Sequence, residues 1–125
     1  MAQYVPGVTG EQALQELLDV SEDVVAAVIV SGGEPAASTV DEVKAAAAAD
    51  LADAMLAYAD TLRRDTPVQR LDAHTPEGSV FVVREGERTI VAATGPDPVT
   101  GLVLHDLRTA LRKSARRGRA KARAS

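Results

Sequence analysis

Residues 41–64 contain no glycine or proline and include five consecutive alanines, Ala45 to Ala49. Alanine gives up no side-chain entropy in a helix, and the two strongest helix breakers are missing. A long helix in the middle of the chain is therefore the main constraint on the fold. Val43, Ala47, Leu51, Ala54 or Met55, Tyr58 and Leu62 recur at three- and four-residue steps, the repeat of one helix face. Lys44, Asp50, Asp53 and Asp60 lie on the opposite side. Asp41 and Glu42 at the start and Arg63 and Arg64 at the end suit the helix dipole, and Pro67 stops the run. The bulky stripe of Leu51, Met55, Tyr58 and Leu62 reads most simply as core. Leu56 and the alanine run fall partly off that stripe. Small residues permit close backbone approach, so a seam between the helices of two copies also fits.

The flanking segments alternate with turns. Thr9 can cap a first helix, with Gln12 as its capping-box partner and Leu14, Leu17 and Leu18 as its apolar stripe. Residues 24–30 form a continuous run of valine, isoleucine and alanine, the pattern of a strand covered on both faces. Ser31-Gly32-Gly33-Glu34 is a hairpin turn, and a short strand follows at 35–38. Residues 68–75, 79–84 and 89–94 predict three further strands, the last two joined by Glu85-Gly86-Glu87-Arg88. After Gly95-Pro96-Asp97-Pro98, a last helix starts at Thr100, with Val103, Leu104, Leu107, Ala110 and Leu111 inward. The order is α-β-β-α-β-β-β-α. It predicts an α+β domain with a five-stranded antiparallel sheet and helices on both faces.

The charge is unevenly divided. From Arg112 onward there are seven basic residues and no acid, so the rest of the chain carries 7 basic and 18 acidic residues. A body of −11 thus stands beside a segment of +7. The expected division is a domain over 1–113 and a basic C-terminal tail over 114–125, disordered when free. Such a tail suits weak, salt-dependent contact with an anionic surface, without sequence-specific nucleic-acid recognition.

Chemistry is thinly represented. There is no cysteine, so disulfides, thiolate nucleophiles and cysteine metal sites are excluded. The three aromatic residues, Tyr4, Tyr58 and Phe81, are too few for base-stacking platforms. His74 and His105 lack partners at metal-ligand spacing, and each suits a structural or solvated role. Asp50 and Asp53 lie one turn apart but have no neighbour to split their pKa values, so a solvated or partner-facing role fits better than acid–base catalysis. The loop glycines lack a phosphate-binding pattern, and Ser31 and Ser79 lack a Gly-x-Ser-x-Gly elbow. No active site, metal or cofactor is expected. No apolar run reaches the roughly 20 residues of a membrane span, and residues 1–10 lack a secretory pattern, which predicts a soluble cytoplasmic chain.

Three segments carry a resemblance. Residues 28–38 join an apolar strand, a Ser-Gly-Gly turn and a small-residue strand. The alanine-rich helix follows Thr39-Val40-Asp41-Glu42. Residues 97–108, Asp-Pro-Val-Thr-Gly-Leu-Val-Leu-His-Asp-Leu-Arg, lead a loop with glycine into the last helix. In order and spacing these resemble the roadblock/dynein-light-chain family over residues 11–113. The basic tail and the short first helix depart from the family pattern. The resemblance implies a homodimer, or a pair with a paralogue, joined through the central helices and the third strand, with Leu51, Met55, Tyr58, Leu62, Val68 and Leu71 at the interface. It further implies a non-catalytic regulator or scaffold of a Ras-like small GTPase; some family members are GTPase-activating partners. The partner surface would be the outer side of the paired helices, offering Lys44, Asp50, Asp53, Leu56 and Asp60. Two other readings compete. A profilin- or PAS-like ligand sensor would need a cavity with polar groups between sheet and helix. An anion-binding protein would act through its tail.

Overall fold

A computed structural model describes the backbone of residues 6–62 and 65–124, with side chains placed for 10–62 and 65–114. The elements are α1 (Pro6–Val20), β1 (Val24–Ser31), β2 (Glu34–Ser38), α2 (Glu42–Leu62), β3 (Arg70–Thr75), β4 (Gly78–Glu85), β5 (Arg88–Thr94) and α3 (Thr100–Ala124). The order and the single antiparallel sheet agree with the sequence pattern, and the strands lie in the order β2-β1-β5-β4-β3.

Local chemistry explains the connections. Gly32 and Gly33 both adopt positive φ, 62° and 82°, which lets a two-residue loop close β1 onto β2. Pro35 in β2 lies opposite Val30, where the register shifts by a bulge. Asp41 caps α2 by accepting a hydrogen bond from Lys44 N at 2.9 Å, as its position before the helix predicts. Gly78 starts β4 where a Cβ would collide with the Thr94 carbonyl oxygen, so only glycine lets β4 and β5 pair this closely. The helix start expected at Thr9 is corrected: α1 begins at Pro6, a position where the missing N–H costs nothing. Arg63 and Arg64, expected to close α2, lie outside the described residues.

The sheet has a core on each face. Ala27, Ile29, Phe81, Val83, Ile90 and Ala92 point toward α1 and α3, where they meet Leu14, Leu17, Val103, Leu107 and Leu111. Val28, Val30, Val82 and Val91 point the other way, onto Ala45, Ala49, Ala52 and Leu56 of α2. Burial on both sides is why β1 reads as an unbroken apolar run. α2 connects the two edge strands and packs on β2, β1 and β5. The basic segment is continuous with α3. Ser114, placed in the tail by its composition, is 2% exposed and accepts a hydrogen bond from Arg88 Nη1 at 2.6 Å. The side chains of 115–125, on which the expectation of a disordered tail falls, lie outside the described residues.

Candidate functional site

The predicted core stripe of α2 is corrected. Leu51, Tyr58 and Leu62 are 49%, 69% and 67% exposed, and Val43 is exposed with them. Met55 is half-buried against the inner cluster. The buried face consists of Ala45, Ala49, Ala52 and Leu56, a second stripe with the same repeat. Its alanines let α2 approach the valines of the sheet closely, and the bulky residues are thereby left outside. The alanine run, read as a possible seam between copies, is an intramolecular seam at Ala45 and Ala49. Leu56, expected on the partner surface, is likewise corrected: it lies under the helix at 3% exposure.

The outer face of α2 borders an open part of the sheet. Along α2 runs an apolar groove of about 190 Å³, lined by Val28, Val40, Lys44, Leu51, Val80 and Val91. Leu71 and Val80 are half-buried on this face. Beyond them β3 is the sheet edge: it pairs with β4 on one side only, and every residue except Leu71 is exposed. An unpaired strand edge thus lies beside an exposed apolar stripe, leaving backbone hydrogen-bonding groups and apolar surface open side by side. Lys44, expected on the opposite side of α2 from Leu51, is corrected: the two residues are seven positions apart, share a face and line the groove together. Lys44 is the one charged lining group, which offers a small ligand little polar recognition.

The predicted strand over 68–75 starts two residues late, because Val68 is held elsewhere. Val68 N donates to Asp60 Oδ1 at 2.8 Å, and Val68 O accepts from Arg84 Nη2 at 2.5 Å. The same Arg84 nitrogen reaches the Asp60 carboxylate at 2.9 and 3.1 Å. This clip joins the end of α2, the segment before β3, and β4. Asp60, expected as a partner-facing charge, is engaged within its own chain, while Lys44, Asp50 and Asp53 are exposed.

The hydrogen bond from Val68 N, and after it the Arg84 guanidinium, hold the Asp60 carboxyl below its usual pKa. A depressed carboxyl adds stability that is present above its unfolded value, about 3.9, and is lost as pH falls through the folded value. The stability difference between wild type and Asp60→Asn is therefore expected to be constant from neutral pH down to about 5 and to shrink in more acid solution. Urea unfolding of both proteins from pH 7 to pH 3 measures it. A difference that does not change with pH would remove Asp60 as the titrating group.

One constellation escaped the sequence reading. His74 Nε2 donates to Asp72 Oδ2 at 2.5 Å, and its Nδ1 shares a hydrogen bond with the Ser79 hydroxyl at 2.7 Å. Asp72 and His74 share a face of β3, and Ser79 lies opposite His74 on β4. The signal was the i, i+2 spacing, which became visible once the β3–β4 register was known. These are the three residue types of a hydrolytic triad, but a nucleophile must come within about 3–3.5 Å of its substrate, and Ser79 is 4% exposed. The group is a cross-strand polar cluster that fixes the imidazole edge-on against Phe81, 5.7 Å between centroids. Among the described residues, no three His, Cys, Asp or Glu side chains converge on a metal position. No helix among them is long and apolar enough to cross a membrane.

The chain matches no known family profile and no curated protein by sequence. Solved structures resemble it in fold. The roadblock/LC7 domain from Streptomyces avermitilis superposes with a TM-score of 0.73 at 15% identity, over 82% of this chain and 91% of that one. The gliding protein MglB from Thermus thermophilus gives 0.70 at 19% identity, over 93% of each chain. Myxococcus xanthus MglB gives 0.63 at 14% identity, over 96% of each.

Proposed function

We propose that this chain, which has the roadblock/LC7 fold, is a non-catalytic regulator or scaffold of a Ras-like small GTPase in the cytoplasm, and that it works as a dimer. The carrying observation is the exposed stripe of Leu51, Tyr58 and Leu62 beside the unpaired edge of β3. Two copies related by a two-fold axis bury both features at once, pairing α2 with α2 and β3 with β3. Met55, Val68 and Leu71 already pack in part on their own chain and border that seam. The GTPase then meets a surface to which both copies contribute Asp50 and Asp53, while Lys44, on the face of Leu51, borders the seam. Each residue is presented twice, so an asymmetric partner can contact different copies of one patch. The buried Ser79 hydroxyl supports a role without catalysis.

The test is a pull-down with a Ras-like GTPase in its GDP and GTP forms. Charges at an interface rim act mainly on association rate and partner choice. Asp53→Lys is therefore expected to weaken capture about tenfold at low salt and less at high salt, while light scattering shows an unchanged dimer. Absence of binding by either nucleotide form at tens of micromolar would reject the regulator reading. So would nucleotide turnover by this protein alone.

A further inference from the structure

The cations along α3 recur at helical spacing in the sequence, and the proposed GTPase contact does not use them. Arg108, Arg112, Arg116, Arg119 and Arg123 follow one another at steps of four, four, three and four residues. On a helix of 3.6 residues per turn they fall within an arc of about 80°. Lys113, Arg117 and Lys121, at steps of four, form a second row about 140° from the first. The described part of α3 shows both rows beginning on different flanks. Arg108 and Arg112 reach Glu85, at 3.5 and 3.1 Å, at the β4–β5 turn, whereas Lys113 reaches Glu16 of α1 at 2.7 Å. The sequence contains no acid after Asp106, and its uncharged residues beyond Lys113 are alanine, glycine and serine alone.

We propose that this two-rowed segment of α3 docks on the phosphate backbone of double-stranded nucleic acid. Guanidinium groups grip phosphate oxygens in pairs, and five of the seven cations from Arg112 onward are arginine. A helix with cations on two flanks can address the phosphates on both walls of a groove, and the major groove of a duplex is wide enough to admit one. A flat lipid surface would meet one row at a time. It would also call for bulky apolar side chains to insert, and the segment has none. Asn, Gln and aromatic residues are missing from this stretch, so the contact reads charge and shape, not base sequence.

Fluorescence anisotropy of the full-length protein with a labelled 20-base-pair duplex tests this. Five cations beyond the last described contact predict a slope near −4.5 for log affinity against log salt, about a 500-fold loss between 50 and 200 mM. Two duplexes of unrelated sequence should bind within about threefold of each other, as contacts to phosphate alone require. Replacing Arg116, Arg117, Arg119, Lys121 and Arg123 together with alanine should abolish duplex binding at 50 mM salt and leave thermal unfolding unchanged. Alanine keeps the helix propensity, so misfolding would not imitate the loss. Three outcomes would each overturn the proposal: no duplex binding at tens of micromolar in 50 mM salt, equal binding by the five-fold variant, or binding to phosphatidylserine vesicles without binding to the duplex.

Discussion

Replacing Tyr58 and Leu62 together with glutamate is expected to give a folded monomer. In one chain these side chains face outward, 69% and 67% exposed, so the change should move the stability of the isolated domain by about 0.5 kcal/mol per site at most. In the proposed dimer each is buried in both copies. A fully buried side chain of this size is worth about 1.5–3 kcal/mol. Four such burials are then lost, and carboxylates take their place at the seam. A loss of about 6 kcal/mol carries a micromolar dimer beyond millimolar dissociation. Light scattering at micromolar concentration should read about twice the 13.0 kDa chain mass for the wild type and the single mass for the variant. GTPase capture should be lost along with the dimer. A variant that stays dimeric would place the interface elsewhere. A wild type that is monomeric would remove it.

The other large effect is expected in the core. Phe81 is the one aromatic residue among the fully buried side chains described, at 0% exposure between the sheet and the α1–α3 layer. Phe81→Ala removes most of a ring volume from a site walled by Ile90, Val103 and other branched residues that cannot collapse to fill it. Such truncations cost about 3–5 kcal/mol, against a total stability of about 5–15 for a domain. The melting temperature should fall by roughly 10–20 °C. Calorimetry measures it, and a fall under about 3 °C would mean that the ring is not a packing element. The contrast with Tyr58, of similar size and almost no stability cost, separates core from seam by experiment.

That contrast also marks what the sequence could convey. Element order, sheet type and the hairpins were legible because each rests on local chemistry: the Gly32-Gly33 turn, the acidic start of α2 at Asp41, and the apolar run of β1. The pairing of β1 with β5 was not, and neither were the faces of α2. Two stripes of equal period run along that helix, one bulky and one small, and hydrophobicity alone favours the bulky one for the core. The sheet below it is lined with valine, so the small stripe fits and Leu56 goes under with it. Nor could the sequence show that Asp60 answers Arg84, 24 positions further along the chain. A pairing of that kind exists only once α2 has crossed the sheet. The Asp72–His74–Ser79 cluster was hidden for the same reason, since its third member arrives through strand register.

The two borders of the sheet are unlike, and this bears on how far assembly can grow. β3 is a regular edge of six residues, whereas β2, at the opposite border, has five, contains Pro35, which lacks an N–H, and is bulged against β1. A strand so interrupted is a poor template for a further chain. When two copies join through β3 they use up the adhesive border of each, and the ends of the joined sheet are both β2. Polymerisation along the sheet therefore terminates at the first step, and the chain can keep one sticky border without seeding fibres.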